Sequence, residues 1–295
     1  MAYIMINLGI TAAFITTLLW IANGLAVKKT SSSLGNYRSS LIIITIGILP
    51  MIAAAIIFGI GAIETYQIAI SAAAGVFLCL GFILIFKSLE TEQLTNTVAL
   101  AEMQPAILTL FGVFVLNNHL NMAESASILL IFAGAFFVIT HEGISINKKL
   151  IPALLGNVSW TIYWILMSIA ISPSAFAVQM ATSRFVGILL LLVLFYFGFA
   201  KISTKKHSAP RFSARMPYLI IILAIVSGLL DGAGDTLFGF TMHLNVIAAG
   251  AAITALSPVL VSLCAFIIYH DRLTKPQLIG FIVMVAGALS LAVFY

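Results

Sequence analysis

Charged residues are scarce in this sequence, and so are cysteines. Only 8% of the 295 residues are charged, whereas a soluble domain has about 25%. This shortage excludes a soluble protein and leaves no stretch that could form a separate soluble domain. The two cysteines, Cys79 and Cys264, lie inside apolar runs, so they indicate neither a disulfide framework nor a metal site.

Clustered histidines and glycine-rich phosphate loops are also missing. A membrane metalloenzyme needs grouped ligands, and an intramembrane protease needs a paired nucleophile and base. We therefore predict that the protein is neither an enzyme nor an ATP-driven pump, and we expect no cofactor and no metal. The net charge of +5 comes from basic residues in the loops, so we expect no nucleic-acid partner. The histidines, none of which is within four residues of another, are His119, His141, His207, His243 and His270.

Long apolar runs are what the sequence has in abundance, since 62% of its residues are hydrophobic. A transmembrane helix needs ~20 apolar residues and must satisfy its own backbone hydrogen bonds. A β-barrel would instead show alternating strands of ~10 residues. We predict an all-α integral membrane protein with ten transmembrane helices, the first of them retained rather than cleaved as a signal peptide. The predicted spans are 5–27, 38–58, 66–86, 96–116, 123–140, 150–171, 175–198, 217–240, 246–269 and 275–294.

The second half of the chain repeats the first. Seven pairs of identical residues recur at an offset of 153 positions, one of them a pair of prolines, which makes chance an unsatisfactory explanation. Further upstream, at shorter offsets, Trp20 pairs with Trp160 and Arg38 with Arg184. The seven pairs are Ala99/Ala252, Pro105/Pro258, Leu110/Leu263, Leu120/Leu273, Ala133/Ala286, Gly134/Gly287 and Ala135/Ala288.

These repeats predict the architecture. They cover residues 5–140 and 150–294, with five spans each. An odd number of spans inverts the second repeat relative to the first, as in many secondary transporters. In such transporters the substrate site lies between the repeats near the middle of the membrane, so we expect a central cavity.

Asp231 and Asp235 are the strongest candidates for a functional site. They are four residues apart and share one face of the eighth predicted helix, about 20 Å from its start. Charged side chains at this depth are rare and usually face a cavity. Two like charges this close repel each other unless a proton or a cation neutralises one of them. The pair is predicted to bind substrate or couple protons, and the alternative is a structural pair bonded to Arg184 or to a neighbouring helix.

Glu102 is the third embedded acid, and it precedes a proline that can kink the helix. We expect Glu102 to line the site, with a salt bridge to a loop residue as the alternative. Gln104 projects in a different direction from Glu102, and it is a further candidate for the cavity wall. Helix kinks are predicted at Pro105 and Pro258.

Aromatic and amide side chains recur in the first and sixth predicted helices, where they would line a cavity. Such walls suit organic cations through stacking and cation–π contacts, although Trp and Tyr are also common in interface belts. Arg184, in the seventh helix, is a candidate for the cavity wall, for anchoring at the interface or for pairing with an embedded acid. The aromatic and amide candidates are Trp20, Asn23, Asn157, Trp160 and Tyr163.

The chain resembles the drug/metabolite transporter superfamily, of the EamA type. The resemblance rests on Leu19-Trp20 with Asn23, on Arg38, on the Pro105 and Pro258 helices, and on two turns that precede glycine-rich helices, Asn118-His119-Leu120 and Asp271-Arg272-Leu273. Family members commonly have Gly-Glu-Arg-Leu in these turns. The glutamate is missing from the first turn here, and Asp271 replaces it in the second. The resemblance implies ten helices in two inverted repeats and export of metabolites or drugs.

These features together favour a secondary transporter of small organic molecules in the cell membrane, working by alternating access as a monomer. The excess of embedded acids favours cationic or zwitterionic substrates and suggests proton coupling. A passive channel or facilitator for a small polar solute is the alternative.

The orientation in the membrane is predicted in two opposite ways. Thirteen of the fourteen lysines and arginines fall at loops on one side, the loops after the odd-numbered spans, and none falls on the side of the termini. The positive-inside rule then places both termini outside the cytoplasm. The family resemblance implies termini in the cytoplasm.

Overall fold

The computed structural model describes residues 2–91, 94, 97, 103–117, 120–139, 151–171, 175–197, 216–244, 246–254, 256–269 and 274–294. All regular structure within these residues is helical. We number the helices α1 (Ala2–Leu34), α2 (Asn36–Phe58), α3 (Thr65–Thr91), α4 (Met103–Phe114), α5 (Met122–Ile139), α6 (Ile151–Ala170), α7 (Phe176–Tyr196), α8 (Met216–His243), α9 (Ile247–Thr254), α10 (Ser257–Tyr269) and α11 (Lys275–Phe294).

Six of these helices are long and apolar enough to cross a membrane: α1, α2, α3, α6, α7 and α8. Shorter apolar stretches lie at Met122–Gly134 in α5 and Leu278–Gly287 in α11. Large apolar side chains, among them Ile56 and Leu129, are exposed on the outside of the bundle. This surface suits lipid rather than water, so the fold is that of a helical membrane protein.

Several helix ends differ from the predicted spans, and α3, for example, continues past residue 86 to Thr91. Helix α1 continues past residue 27 to Leu34, where Ser31 and Ser32 donate hydrogen bonds back to carbonyls one turn earlier. It ends at Gly35, whose positive φ of 84° reverses the chain before α2. The predicted span 246–269 is divided into α9 and α10, and Pro258 is the second residue of α10, where its missing N–H costs no helical bond.

The two halves of the bundle pack on each other reciprocally. Helix α1 packs on α8 and α3 packs on α6. Helix α2 packs on α8 and α3 packs on α7, while α4 contacts α9 and α5 contacts α11. In the alignment of the two halves α1 corresponds to α6 and α3 to α8, so α1 and α3 each contact the helix that corresponds to the other one.

Glycines allow the closest of these approaches, and they follow the repeat. A Cβ at Gly81 would lie 2.9 Å from Cγ of Trp160, and a Cβ at Gly234 would lie 2.7 Å from Cδ1 of Trp20. Gly81 and Gly234 are 153 positions apart, the offset of the repeat. Small residues of this kind let membrane helices approach closely, and here they seat one tryptophan in each half.

Candidate functional site

A cavity of about 150 Å³ lies among α1, α3, α4, α6, α8, α9 and α10. Its walls follow successive turns of α1 from Trp20 to Val27 and of α3 from Leu78 to Leu89. The cavity thus extends from the middle of the bundle toward the C-terminal ends of α1 and α3. The other residues in its described wall are Asn23, Gly24, Phe82, Ile85, Phe86, Leu94, Thr97, Gln104, Trp160, Tyr163, Trp164, Asp231, Asp235, Thr254, Ser257 and Val261.

Asp231 and Asp235 supply the carboxylates of this wall, and each accepts hydrogen bonds from α1. Asn23 donates from Nδ2 to Oδ1 of Asp231 over 2.9 Å. Trp20 donates from Nε1 to Oδ1 of Asp235 over 3.2 Å. Both acids are 5% exposed, so the four-residue spacing on α8 places two nearly buried carboxylates beside each other on one face.

Arg184 pairs with both carboxylates at once. Its Nη2 lies 2.5 Å from Oδ2 of Asp231 and 2.6 Å from Oδ2 of Asp235. The side chain is 0% exposed, and its Cζ lies 5.7 Å from the ring centroid of Phe82. Breaking a buried pair by removing one partner is strongly destabilising, about 3–5 kcal/mol, so this residue holds α7 against α8.

Gly47 of α2 makes room for that guanidinium. A Cβ at Gly47 would collide with Nη1 of Arg184 and would lie 2.9 Å from its Cζ. No partner for Nη1 or Nε of Arg184 lies among the described residues. All of the described polar contacts of the guanidinium are therefore made by Nη2, to the two acids.

A second polar contact lies behind Asn23. Ser227, one turn before Asp231 on α8, donates a hydrogen bond from its hydroxyl to Oδ1 of Asn23. The amide group is held at both its oxygen and its nitrogen, which orients its donor toward Asp231. This chain of contacts fixes the carboxylate from the side of α1.

The opposite wall has the same framework without the acids. Leu78 and Phe82 of α3 stand 153 positions before Asp231 and Asp235, and both line the cavity. The ring of Phe82 meets that of Trp160 edge-on, with centroids 5.4 Å apart. Nε1 of Trp160 has no partner among the described residues, whereas Nε1 of Trp20 has Asp235.

An aromatic layer packs beside the carboxylates on the side away from Val27. Phe238, one turn beyond Asp235 on α8, lies 5.5 Å from Trp20 and 4.8 Å from Trp164 between ring centroids. It is 0% exposed and is not part of the described wall. The described cavity thus ends at this layer.

Most of the candidates from the sequence meet in this one place. Trp20, Asn23, Gln104, Trp160, Tyr163, Asp231 and Asp235 all line the cavity. Glu102 lies outside the described residues. The backbone of Pro105 lies in the first turn of α4.

Two candidates for the cavity wall lie outside the described wall, and one of them, Arg184, pairs with the embedded acids, which was one of its predicted alternatives. Arg184 neither lines the described wall nor reaches the membrane surface; it is fully buried behind the acids, because their charge compensates its desolvation. Asn157 is 1% exposed and also lies outside the described wall, on the part of α6 where the neighbouring Gly156 packs against Ile85 of α3.

The site also contains residues that sequence reasoning did not single out. Gly47 has no glycine 153 positions after it and resembles any other glycine of an apolar helix. Thr97 and Thr254 likewise belong to no motif. Gly81 and Gly234 had a signal, because they match at the offset that aligns the prolines. Within the described residues no group of three or more His, Cys, Asp or Glu could hold a metal ion.

Comparison with known proteins identifies relatives of the fold. A model of the EamA-like transporter family matches residues 7–140 and 147–293. A solved structure, described only as "Crystal structure of protein", is 18% identical, with a TM-score of 0.68 over 97% of this chain and 99% of that chain. No curated protein matches the chain. At this identity the solved structure supports the fold alone.

Proposed function

The chain belongs to the EamA-like transporter family and is therefore a multi-pass membrane transporter of the drug/metabolite type, and from this premise we propose that it is a secondary active transporter of small organic molecules. It works by alternating access, and the central cavity is its substrate site. The observation that carries the proposal is the pair of buried carboxylates at the inner end of a cavity that the two halves of the chain build together.

The proposed architecture is ten spans in two inverted repeats, 5–140 and 150–294. Reciprocal packing supports it, since α1 on α8 matches α3 on α6. The glycine–tryptophan contacts at Gly81 and Gly234 support it as well. Rocking of the two repeats about the cavity would open one side while the other closes.

A carrier is favoured over a channel by the ends of the cavity. The wall reaches along α1 and α3 on one side, and the aromatic layer around Phe238 packs across the other. A channel needs a continuous polar path, whereas the residues beyond the acids are aromatic. A carrier alternates between two states. The present structure corresponds to the state in which the cavity extends toward the C-terminal ends of α1 and α3.

The residues of the cavity wall indicate the charge of the substrate. Asp231 and Asp235 are the acids of the described wall, and no lysine, arginine or histidine is among its described residues. The tryptophans and Phe82 add faces that attract cations. We expect small organic cations or zwitterions to bind there, to be exported and to exchange with protons, the transporter working as a monomer in the cell membrane.

The test is transport by the purified protein in liposomes. A carrier predicts saturable flux of a radiolabelled organic amine and counterflow, and flux that never saturates would favour the channel. Asp231→Asn, Asp235→Asn and Glu102→Gln are each expected to insert normally and to lose at least ~10-fold of pH-driven transport, because each removes a charge that could bind substrate or proton. Glu64→Gln, an exposed loop acid, is the matched control. Transport like the parent in all three variants would contradict the coupling assignment.

A further inference from the structure

The charges at the inner end of the cavity do not balance. Asp231 and Asp235 share a single partner, Arg184, through one nitrogen. With both carboxylates ionised, the three side chains carry one net negative charge. The described wall contains no other carboxylate and no basic residue, so nothing else among the described residues compensates this charge.

Arg184 is out of reach of anything in the cavity. It is 0% exposed, whereas the side chains of the acids are 8% and 7% exposed. Gly47 lies on one side of its guanidinium and the ring of Phe82 on another. An entering ligand therefore meets the carboxylates and never the guanidinium, which neutralises one of their two charges from behind.

The carboxylates still have room for a ligand. Each ionised carboxylate offers about four lone-pair sites, and each accepts one bond from α1 and one from Arg184. An ammonium group can donate to the remaining sites. A cavity of about 150 Å³ is the size that holds a benzene-sized molecule in other proteins, so the ligand is small.

We propose that Arg184 is the residue that sets the valence of the substrate: among the cations and zwitterions that the proposed function admits, the site favours one singly charged, small organic amine over dications and over zwitterions. A dication would bring a second positive charge that the cluster cannot match, and the carboxylate of a zwitterion would meet no cation in the described wall. The proposal rests on the proposed function, in which this cavity is the substrate site.

The charge of the site can be changed one unit at a time. Arg184→Gln leaves two net negative charges, and Asp235→Asn leaves none. The double variant Arg184→Gln with Asp235→Asn restores one net negative charge without the native pair. If the net charge of the site sets the valence of the substrate, the double variant should bind amines as the parent does. If Arg184 has only a structural role, the double variant should bind amines more weakly than either single variant.

Butylamine and trimethylenediamine are suitable probes, since they have the same number of heavy atoms and differ in carrying one or two charges. Binding is read from tryptophan fluorescence of the detergent-purified protein, because all three tryptophans of the chain, Trp20, Trp160 and Trp164, line the cavity. The parent is expected to prefer butylamine. Arg184→Gln is expected to shift the ratio of affinities toward the diamine by at least ~10-fold, since an unmatched charge is strongly disfavoured at such a site.

The charge-neutral variant gives the decisive comparison. Asp235→Asn is expected to lose at least ~10-fold in butylamine affinity, and adding Arg184→Gln is expected to restore it. This rescue remains testable if Arg184→Gln alone does not fold. Arg38→Gln, at an exposed position near the start of α2, is the control and is expected to keep the parental ratio.

Two results would overturn the proposal: a folded Arg184→Gln protein with the parental ratio, or a double variant that binds butylamine no better than Asp235→Asn. A different result would contradict the proposed function instead. If the parent binds neither amine and transports none in liposomes, the cavity is not a site for organic cations. That result contradicts the proposed function rather than the role of Arg184.

Discussion

At the scale of the residue, the site is a cluster of charged side chains in the buried interior of the bundle, where an unpaired charge is energetically unfavourable. Each carboxylate is held by a neutral donor from α1 and by Arg184. The acids could be identified from the sequence because charges inside an apolar run are rare. Their partner, Arg184, could be named only as one alternative, because a basic residue near the start of a helix can anchor at the interface as readily as it can pair, and pairing depends on how α7 faces α8.

The hydrogen bond from Trp20 to Asp235 can be measured by a matched pair of substitutions. Trp20→Phe removes a donor to a charged acceptor, and such a bond contributes about 1.5–3 kcal/mol. Trp160→Phe removes the same volume at the repeat position, where Nε1 has no described partner. We expect Trp20→Phe to lower the thermal unfolding temperature in detergent further than Trp160→Phe does.

Equal unfolding temperatures for the two variants would mean that the indole N–H of Trp20 adds nothing beyond packing. Because both tryptophans lie over a glycine, Gly234 and Gly81, the loss of ring contacts is comparable. The difference between the variants therefore isolates the hydrogen bond.

At the scale of the element, α8 has two faces with different tasks. In the structure the acids face α1 and the cavity, while Gly228 and Gly232 meet the backbone of α2. Gly239 packs against Met180 of α7. The glycines thus bring α2 and α7 close to the helix that carries the carboxylates.

Gly232→Ala is expected to separate α2 from α8. A Cβ there would lie 2.7 Å from Cα of Gly47, which is backbone and has no rotamer to move. Overpacking of this kind costs about 1–3 kcal/mol, so the unfolding temperature should fall. Gly24→Ala is the control for stability, because its Cβ would lie 3.7 Å from Cγ2 of Val261 in ordinary contact. An unfolding temperature for Gly232→Ala equal to that of Gly24→Ala would show that the two helices are not in close contact.

At the scale of the whole molecule, the two halves share the same packing, but the two embedded acids of the described cavity wall belong to the second half alone. Helices α3 and α8 make equivalent contacts with α6 and α1, yet Leu78 and Phe82 stand where α8 has its two acids. One half packs without carboxylates, so packing of the repeat does not require them. This asymmetry supports the proposal that the acids bind substrate and do not serve packing alone.

The distribution of basic residues makes a prediction for the orientation of the whole molecule. Since the lysines and arginines at the loops fall on one side, a reporter that is active only in the cytoplasm should be inactive when fused after Tyr295. The same reporter inserted between Lys205 and Lys206 should be active. An active reporter after Tyr295 would support the orientation that the family resemblance implies.

The sequence by itself determined the membrane, the helices and the identity of the polar residues. Hydrophobicity and backbone satisfaction are local properties, so α2, α6 and α11 begin and end within about two residues of their predicted spans. The repeat could be read as well, because identical residues recur at one offset.

The tertiary structure decided which of those polar residues meet. Helices α2 and α3 are apolar on nearly every side, so their sequences show no preferred inner face. How each helix is rotated depends on close contacts such as Gly47 with Gly232, and these contacts place Arg184 behind the acids and keep Asn157 out of the described wall. That rotation is a property of packing between distant segments, which no single stretch of sequence encodes.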